Sequence, residues 1–424
     1  MTIGLAFILG AFILFFAGLP IFTVIGIGAL AVGFISPVPI IDSLGMTSWA
    51  QSQNYVLISV PLFIMLGEIF VRSGIAGEMY DAVAPWLNRV PGKLMQTNVV
   101  TSAIFAATSG SSLATAATIG SIAIPQIKLH GYNERIFLGS IAAGGTLGIL
   151  IPPSINLIVY GSITNTSIPE LYLAGIVPGL ILTALFMVMT WVMCILRPDW
   201  DGEIIDTDWS MRLKTLPRLL PPLGLFLVVV GSIYAGIATP TEAAALGVLA
   251  TLVLALAKGR MSIRILNSAL FATARTNAIL MIIIVFAALL NFALGMVGFS
   301  RLLEDFVLGL DFSKYEIILL IVLIYLILGC FLEGLSLTVL TVPVLAPIIA
   351  KVGFDPVWFG ILVILVTEAG LITPPVGMNC YVVQAARGRG SLMDVFVGVS
   401  PYLISLLALV GILVVWPGVA LWYR

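Results

Sequence analysis

Gly148-Ile-Leu-Ile-Pro152-Pro153 returns 222 residues later as Gly370-Leu-Ile-Thr-Pro374-Pro375, again inside an apolar segment. Two adjacent prolines remove two backbone donors and block the preceding turn, so no helix runs through them unbroken. In hydrocarbon, freed carbonyls are tolerated only where protein, water or an ion satisfies them. A chain that breaks a membrane helix twice, at matching places, is expected to build a binding site there.

The membrane setting follows from composition. Of 424 residues, 60% are hydrophobic and 9% charged, with a mean hydropathy of +1.17. Soluble domains carry about 25% charged residues. The long apolar runs leave no room for a sizeable water-soluble domain, so the fold class is all-α and polytopic. A β-barrel would alternate apolar and polar positions, and Leu319–Leu328 does not. The net charge of −1 and pI near 5.9 argue against nucleic acid as a partner. No basic residue precedes the first apolar run, so no cleaved secretory signal is expected. Cys194, Cys330 and Cys380 stand singly without metal spacing. His130, the only histidine, sits near Lys128 in a short polar connection, where a surface role suits it better than a metal. The tryptophans read as interfacial anchors.

The diproline match is part of a longer one. Pro125–Pro153 aligns with Pro347–Pro375 without a gap, and seven of 29 positions are identical. Chance would give roughly two or three in so biased a composition. Upstream the offset becomes 224, where Gly74 and Asp81 fall on Gly298 and Asp305. The expected organisation is a first repeat at 1–200, a cytoplasmic linker at 201–216 and a second repeat at 217–424.

Each half reads alike. Two apolar segments open it (3–16 and 21–35; 217–235 and 243–257), and a third follows (56–71; 278–295). Next comes a short amphipathic stretch (76–90; 301–310) suited to the interface. Then a run too long for one span and too interrupted for two (94–127; 315–350) reads as a re-entrant hairpin. The broken segment (135–160; 357–383) and a last span (171–196; 396–422) close each half. Five crossings per half, one of them broken, invert the second half relative to the first. Loop assignment then places fifteen of the nineteen Lys and Arg on one side, leaving Arg301, Lys314, Lys351 and Arg424 on the other. Basic excess marks the cytoplasm, so both termini are expected outside.

The first hairpin turns through Thr108-Ser109-Gly110-Ser111-Ser112-Leu-Ala-Thr115. Hydroxyls and bare backbone at membrane depth suit a small hard cation, which favours oxygen ligands; close helix packing by small residues is the alternative. Its counterpart, Phe331-Leu-Glu333-Gly334-Leu-Ser336-Leu-Thr338, has fewer hydroxyls and an acid. Asn156 and Asn379 follow the two breaks and could cap a half-helix or bond a ligand. Helix ends left free at the breaks favour anions at N-termini and cations at C-termini. Glu333 and Glu368 lie deep in the apolar pattern, where carboxylates are costly and usually functional; for Glu368 a structural partner inside the bundle and an ion or proton role are both open. Glu242 reads as a helix-start cap beside Thr239. An intramembrane enzyme would need paired acids, a Ser–Lys or Ser–His pair or a metal cluster, and none is legible. Matched closed hairpins suit alternating access better than an open pore.

These motifs together resemble the large membrane (M) subunit of TRAP (tripartite ATP-independent periplasmic) transporters. They are Ser109-Gly-Ser-Ser112, Gly145-Thr-Leu-Gly148-Ile-Leu-Ile-Pro-Pro-Ser154, Ala174-Gly-Ile-Val-Pro-Gly179, Thr239-Pro-Thr-Glu-Ala-Ala244 and Ile372-Thr-Pro-Pro-Val-Gly377, spanning nearly the whole chain. The resemblance implies a sodium-coupled, elevator-type importer in a bacterial inner membrane. Its substrates would be organic acids such as sialic acid or dicarboxylates, delivered by a periplasmic binding protein, with a small four-helix membrane subunit as partner. It also implies about two or more Na⁺. One would lie between Ser109, Ser112 and the break at Leu147, Leu150 and Pro152. Another would lie between Gly334 and the break at Gly370, Thr373 and Val376. The substrate would lie between the hairpin tips, within reach of Ser111, Ser112, Asn156, Glu333, Ser336 and Asn379. A stand-alone sodium–carboxylate symporter of similar inverted-repeat design is the nearest rival.

Overall fold

A computed structural model describes residues 10, 13–14, 17–35, 40–204, 207–310 and 312–424, without the side chains of 35, 300 and 308. The described residues are helical and contain no strand. Seven helices among them are long and apolar enough to cross a membrane. The expected span at 3–16 falls almost entirely outside the described residues.

The remaining spans form where apolar runs meet good caps. Ile21–Ile35 is a helix. Pro240–Ala257 begins with a capping box in which the Thr239 N–H and hydroxyl both donate to Glu242 at 2.8 Å, so the acid expected there as a cap is one. Ser313 and Glu316 start the second hairpin in the same way.

Two boundaries differ from the sequence reading. The second repeat's first span starts at Trp209 and continues to Tyr234, taking in residues expected to be linker. The segment expected at 278–295 is a 34-residue helix, Ile263–Met296. At 1.5 Å per residue it measures about 50 Å, well beyond a hydrocarbon core of about 30 Å. Its equivalent in the first repeat is cut in two, Ile40–Ser52 and Ser59–Arg72. Between them Asn54 caps a new turn by accepting from the Val56 N–H at 3.1 Å and donating to the Ser162 hydroxyl at 2.8 Å.

Two bodies result. Ile21–Ile35, Ser59–Arg72, Pro240–Ala257 and Ile263–Met296 pack on one another as a scaffold. The hairpins and broken helices pack with Ile168–Leu196 and Leu392–Val415 as a second bundle. Its tightest crossing pairs Gly139 with Gly398: a Cβ on Gly139 would stand 2.0 Å from the Gly398 carbonyl oxygen. Small residues allow this backbone approach. The linker is pinned to the base of the first hairpin, where Lys93 Nζ meets Asp201 at 2.6 Å and the Gly202 carbonyl at 2.7 Å.

Candidate functional site

The first hairpin comprises Lys93–Ser109 and Ser112–Leu129. It turns at Gly110, whose φ is +60° and whose absent Cβ would lie 2.8 Å from the Pro153 carbonyl oxygen. Left-handed backbone and close approach both demand glycine there. Ser111 then caps the returning helix, accepting from the Ala114 N–H at 3.4 Å. The second hairpin comprises Lys314–Gly329 and Gly334–Val352. Glu333 caps it, accepting from the Leu335 and Ser336 N–H groups and the Ser336 hydroxyl, each at 3.1 Å. A half-buried acid at this tip therefore has a local job: it satisfies helix-start donors and meets the positive end of the helix dipole.

The broken helices are Glu134–Thr146 with Ile155–Thr164, and Pro356–Leu371 with Met378–Arg387. Both diproline bonds are cis. Pro152 and Pro153 are buried, whereas Pro374 and Pro375 are exposed. Each hairpin tip docks on the break of its own repeat. A Cβ on Gly148 would stand 2.6 Å from the Ser111 carbonyl oxygen, and one on Gly370 would stand 2.6 Å from the Gly329 backbone. The Gly377 N–H also donates to the Cys330 carbonyl at 3.3 Å.

The repeats then cross. The returning arm of each hairpin packs against the far half of the other repeat's broken helix. Ser112 Oγ donates to Glu368 Oε1, and the Asn156 amide nitrogen lies 3.0 Å from the position of a Cβ on Gly334.

Between scaffold and bundle lies a cavity of about 620 Å³. It is lined by Ser109, Gly110, Ser111 and Ser112 of one tip, Glu333, Gly334 and Ser336 of the other, and Asn156. The scaffold contributes Gly67, Glu68, Arg72, Thr276 and Ile283, with Arg72 and Glu68 paired at 2.8 Å. The structure thus brings five of the six expected substrate residues to one cavity. Asn379, the sixth, is fully buried and does not line it.

The expected cation ligands fall differently. Around the first tip, Ser109 and Thr115 share a hydroxyl–hydroxyl bond of 2.9 Å, and the Thr115 hydroxyl also contacts the Ser111 carbonyl at 2.8 Å. The Leu147 carbonyl accepts from the Leu150 and Ile151 N–H groups. The Leu150 carbonyl faces Gly175, where a Cβ would stand 2.7 Å away. Pro152 is buried beside them. In the second break the Thr373 hydroxyl donates to the Ala369 carbonyl at 2.6 Å, and Val376 is half-buried. Glu68, Arg72 and Thr276 went unread because they look like ordinary helix-end and mid-helix polar residues; only the fold carries them to the cavity.

Residues 8–419 match the model of the family described as "Tripartite ATP-independent periplasmic transporter, DctM component". The chain is 34% identical over 396 residues to the C4-dicarboxylate TRAP transporter large permease protein DctM of Pseudomonas aeruginosa, covering 93% of this chain and 92% of that one. It is 32% identical over 413 residues to the sialic acid TRAP transporter large permease protein SiaM of Vibrio cholerae, covering 95% and 94%. Among solved structures it is similar in fold to the YdaH transporter of Alcanivorax borkumensis, with a TM-score of 0.64, 16% identity and 89% of each chain covered.

Proposed function

Because this chain belongs to the tripartite ATP-independent periplasmic transporter family, as its DctM component, we propose that it imports a small organic acid by sodium-coupled, elevator-type alternating access. A periplasmic binding protein delivers the substrate, and a small four-helix membrane subunit extends the scaffold. Relatives named for C4-dicarboxylates and for sialic acid have a carboxylate as their common denominator.

The observation that carries this reading is the shared cavity, walled by a scaffold on one side and by both hairpin tips on the other. The first tip presents the start of the Ser112–Leu129 helix together with Ser111 and Ser112, an arrangement that favours a carboxylate. Arg72 ends its helix on the side that the basic-residue count assigns to the cytoplasm, and supplies the cavity's cation. Sodium is held at the two hairpin–break contacts, by Ser109, Ser112, Leu147, Leu150 and Pro152 in one and by Gly334, Gly370, Thr373 and Val376 in the other. Hydroxyl and carbonyl oxygens are the donors a hard monovalent ion takes. The bundle slides against the scaffold, carrying the cavity from one face to the other, and both termini lie in the periplasm.

Uptake into liposomes tests the whole scheme. With the small subunit present and a substrate-loaded binding protein outside, an inward sodium gradient is expected to drive accumulation. Removing either the gradient or the binding protein should return uptake to background. Uptake that continues without sodium would sink the coupling, and uptake that continues without the binding protein would favour a stand-alone symporter.

A further inference from the structure

The hydroxyls expected to hold the first cation bond one another and backbone carbonyls, while two buried side chains beside Ser112 keep unpartnered atoms. Glu368 is fully buried. One of its oxygens accepts from Ser112 Oγ, and the other, Oε2, has no hydrogen-bond partner. A carboxylate so placed takes up a proton or a cation. Asn379 is also fully buried, with neither amide atom partnered. Ser112 links the two: its hydroxyl meets Glu368, and a Cβ on Gly145, 2.9 Å from the Ala116 Cβ, would stand 3.3 Å from both the Ser112 carbonyl oxygen and the Asn379 amide nitrogen.

We infer that the cation proposed at the first hairpin–break contact is tied to the second repeat as well, with Glu368 adding an anionic ligand and Asn379 a neutral one beside Ser112. This rests on the sodium-coupling reading above and deepens it. One carboxylate with amide, hydroxyl and carbonyl oxygens is a hard, singly charged donor set, suited to Na⁺. Among the described residues no group of three or more His, Cys, Asp or Glu gathers to hold a metal ion, which a softer or more highly charged ion would favour. The acid and the amide are features of the second repeat alone. At the offset of 222, Glu368 falls on Thr146 and Asn379 on Leu157, and Thr146 spends its hydroxyl on the Ala143 carbonyl at 2.6 Å. Bound there, the ion would join the first hairpin to the second broken helix, so its arrival would lock two elements of opposite repeats.

Thermal unfolding of the purified full chain in detergent tests this, in choline chloride with graded NaCl at constant ionic strength. The wild-type midpoint is expected to rise with NaCl, because an ion bound only by the folded state stabilises it. Glu368→Gln should be at least as stable as wild type in choline, since it removes an uncompensated charge. Its half-saturating NaCl should rise about tenfold or more. Asn379→Leu, which copies the first repeat, should show a shift in the same direction. If both variants keep the wild-type NaCl response, this site is wrong while sodium coupling stands. If the wild type itself does not distinguish NaCl from choline, both fall. A Glu368→Gln chain that is destabilised in choline would overturn the assignment of a bare charge, and Asn379→Leu then decides alone: an unchanged half-saturation removes the site.

Discussion

Ser111 and Glu333 occupy the same place in the two repeats, 222 residues apart, and each caps the helix that returns from its hairpin tip. The backbone task is shared and the charge is not. At the first tip a neutral hydroxyl takes one donor at 3.4 Å, leaving the positive end of the helix dipole free for an outside anion. At the second tip a carboxylate takes two backbone donors and a hydroxyl, so that end already has its negative charge. Two hairpins of one design thus face one cavity with opposite preferences. On the proposed function, the first would receive the substrate's carboxylate, and the second would repel one and favour cations.

Exchanging the caps breaks this comparison most severely. Ser111→Glu should keep its helix start while placing a fixed negative charge where the substrate's carboxylate is proposed to sit. Opposed like charges cost several kcal/mol, so uptake of a carboxylate should fall about 100-fold. Glu333→Ser, which gives the second tip a neutral cap, should cost less than about tenfold by the same scale. Initial uptake rates in liposomes at saturating sodium measure both. Equal losses in the two variants would mean the tips do not divide the charges this way.

The hairpin turns and the breaks were legible because proline and glycine act locally. Pro152-Pro153 and Pro374-Pro375 forbid helix wherever they stand, and a run of Ser and Gly at membrane depth signals a turn. Four things were not legible. The Ile40–Ser52 helix is short, and Asp42, Ser43, Thr47, Ser48 and Gln51 dilute its apolar pattern while Ile41, Met46 and Trp49 stay exposed. The first half of Ile263–Met296 hides in the same way behind Arg264, Asn267 and Arg275. Hardest of all was the crossing of repeats, since Ser112 and Glu368 meet over a separation of 256 residues and no periodicity announces it. Glu333 was visible as an acid but not as a cap, because glutamate is not among the residues favoured at helix starts.

The glycines beneath the tips sharpen the comparison at a lower level. Gly148→Ala would press a methyl to 2.6 Å from the Ser111 carbonyl and 2.7 Å from the Thr115 hydroxyl. Gly370→Ala would press one to 2.6 Å from the Gly329 backbone. Backbone cannot yield as a flexible side chain does, so each should destabilise by about 1–3 kcal/mol, seen as a lowered unfolding midpoint. Gly295→Ala is the control: it lies within a helix and nothing stands within 4 Å of its Cβ position. That change should be neutral or stabilise by up to about 1 kcal/mol. If Gly148→Ala alone were harmful, docking of hairpin on break would be a property of the first repeat only.

The smallest effect isolates the caps from transport altogether. Ser111→Ala removes one long hydrogen bond, so the loss should sit near the low end for a cap, about 0.5–1 kcal/mol. Glu333→Ala strips two backbone donors of their partner and removes a charge from the helix start, so about 1–2 kcal/mol is expected. Hydrogen exchange followed by mass spectrometry reads each tip separately, through peptides containing Ala114 and those containing Leu335 and Ser336. The second tip should lose more protection than the first, and the difference should shrink in high salt as the dipole term is screened. A larger loss at Ala114 would reverse the order of the two caps, and with it the argument that the acid at the second tip is there first to hold its own helix.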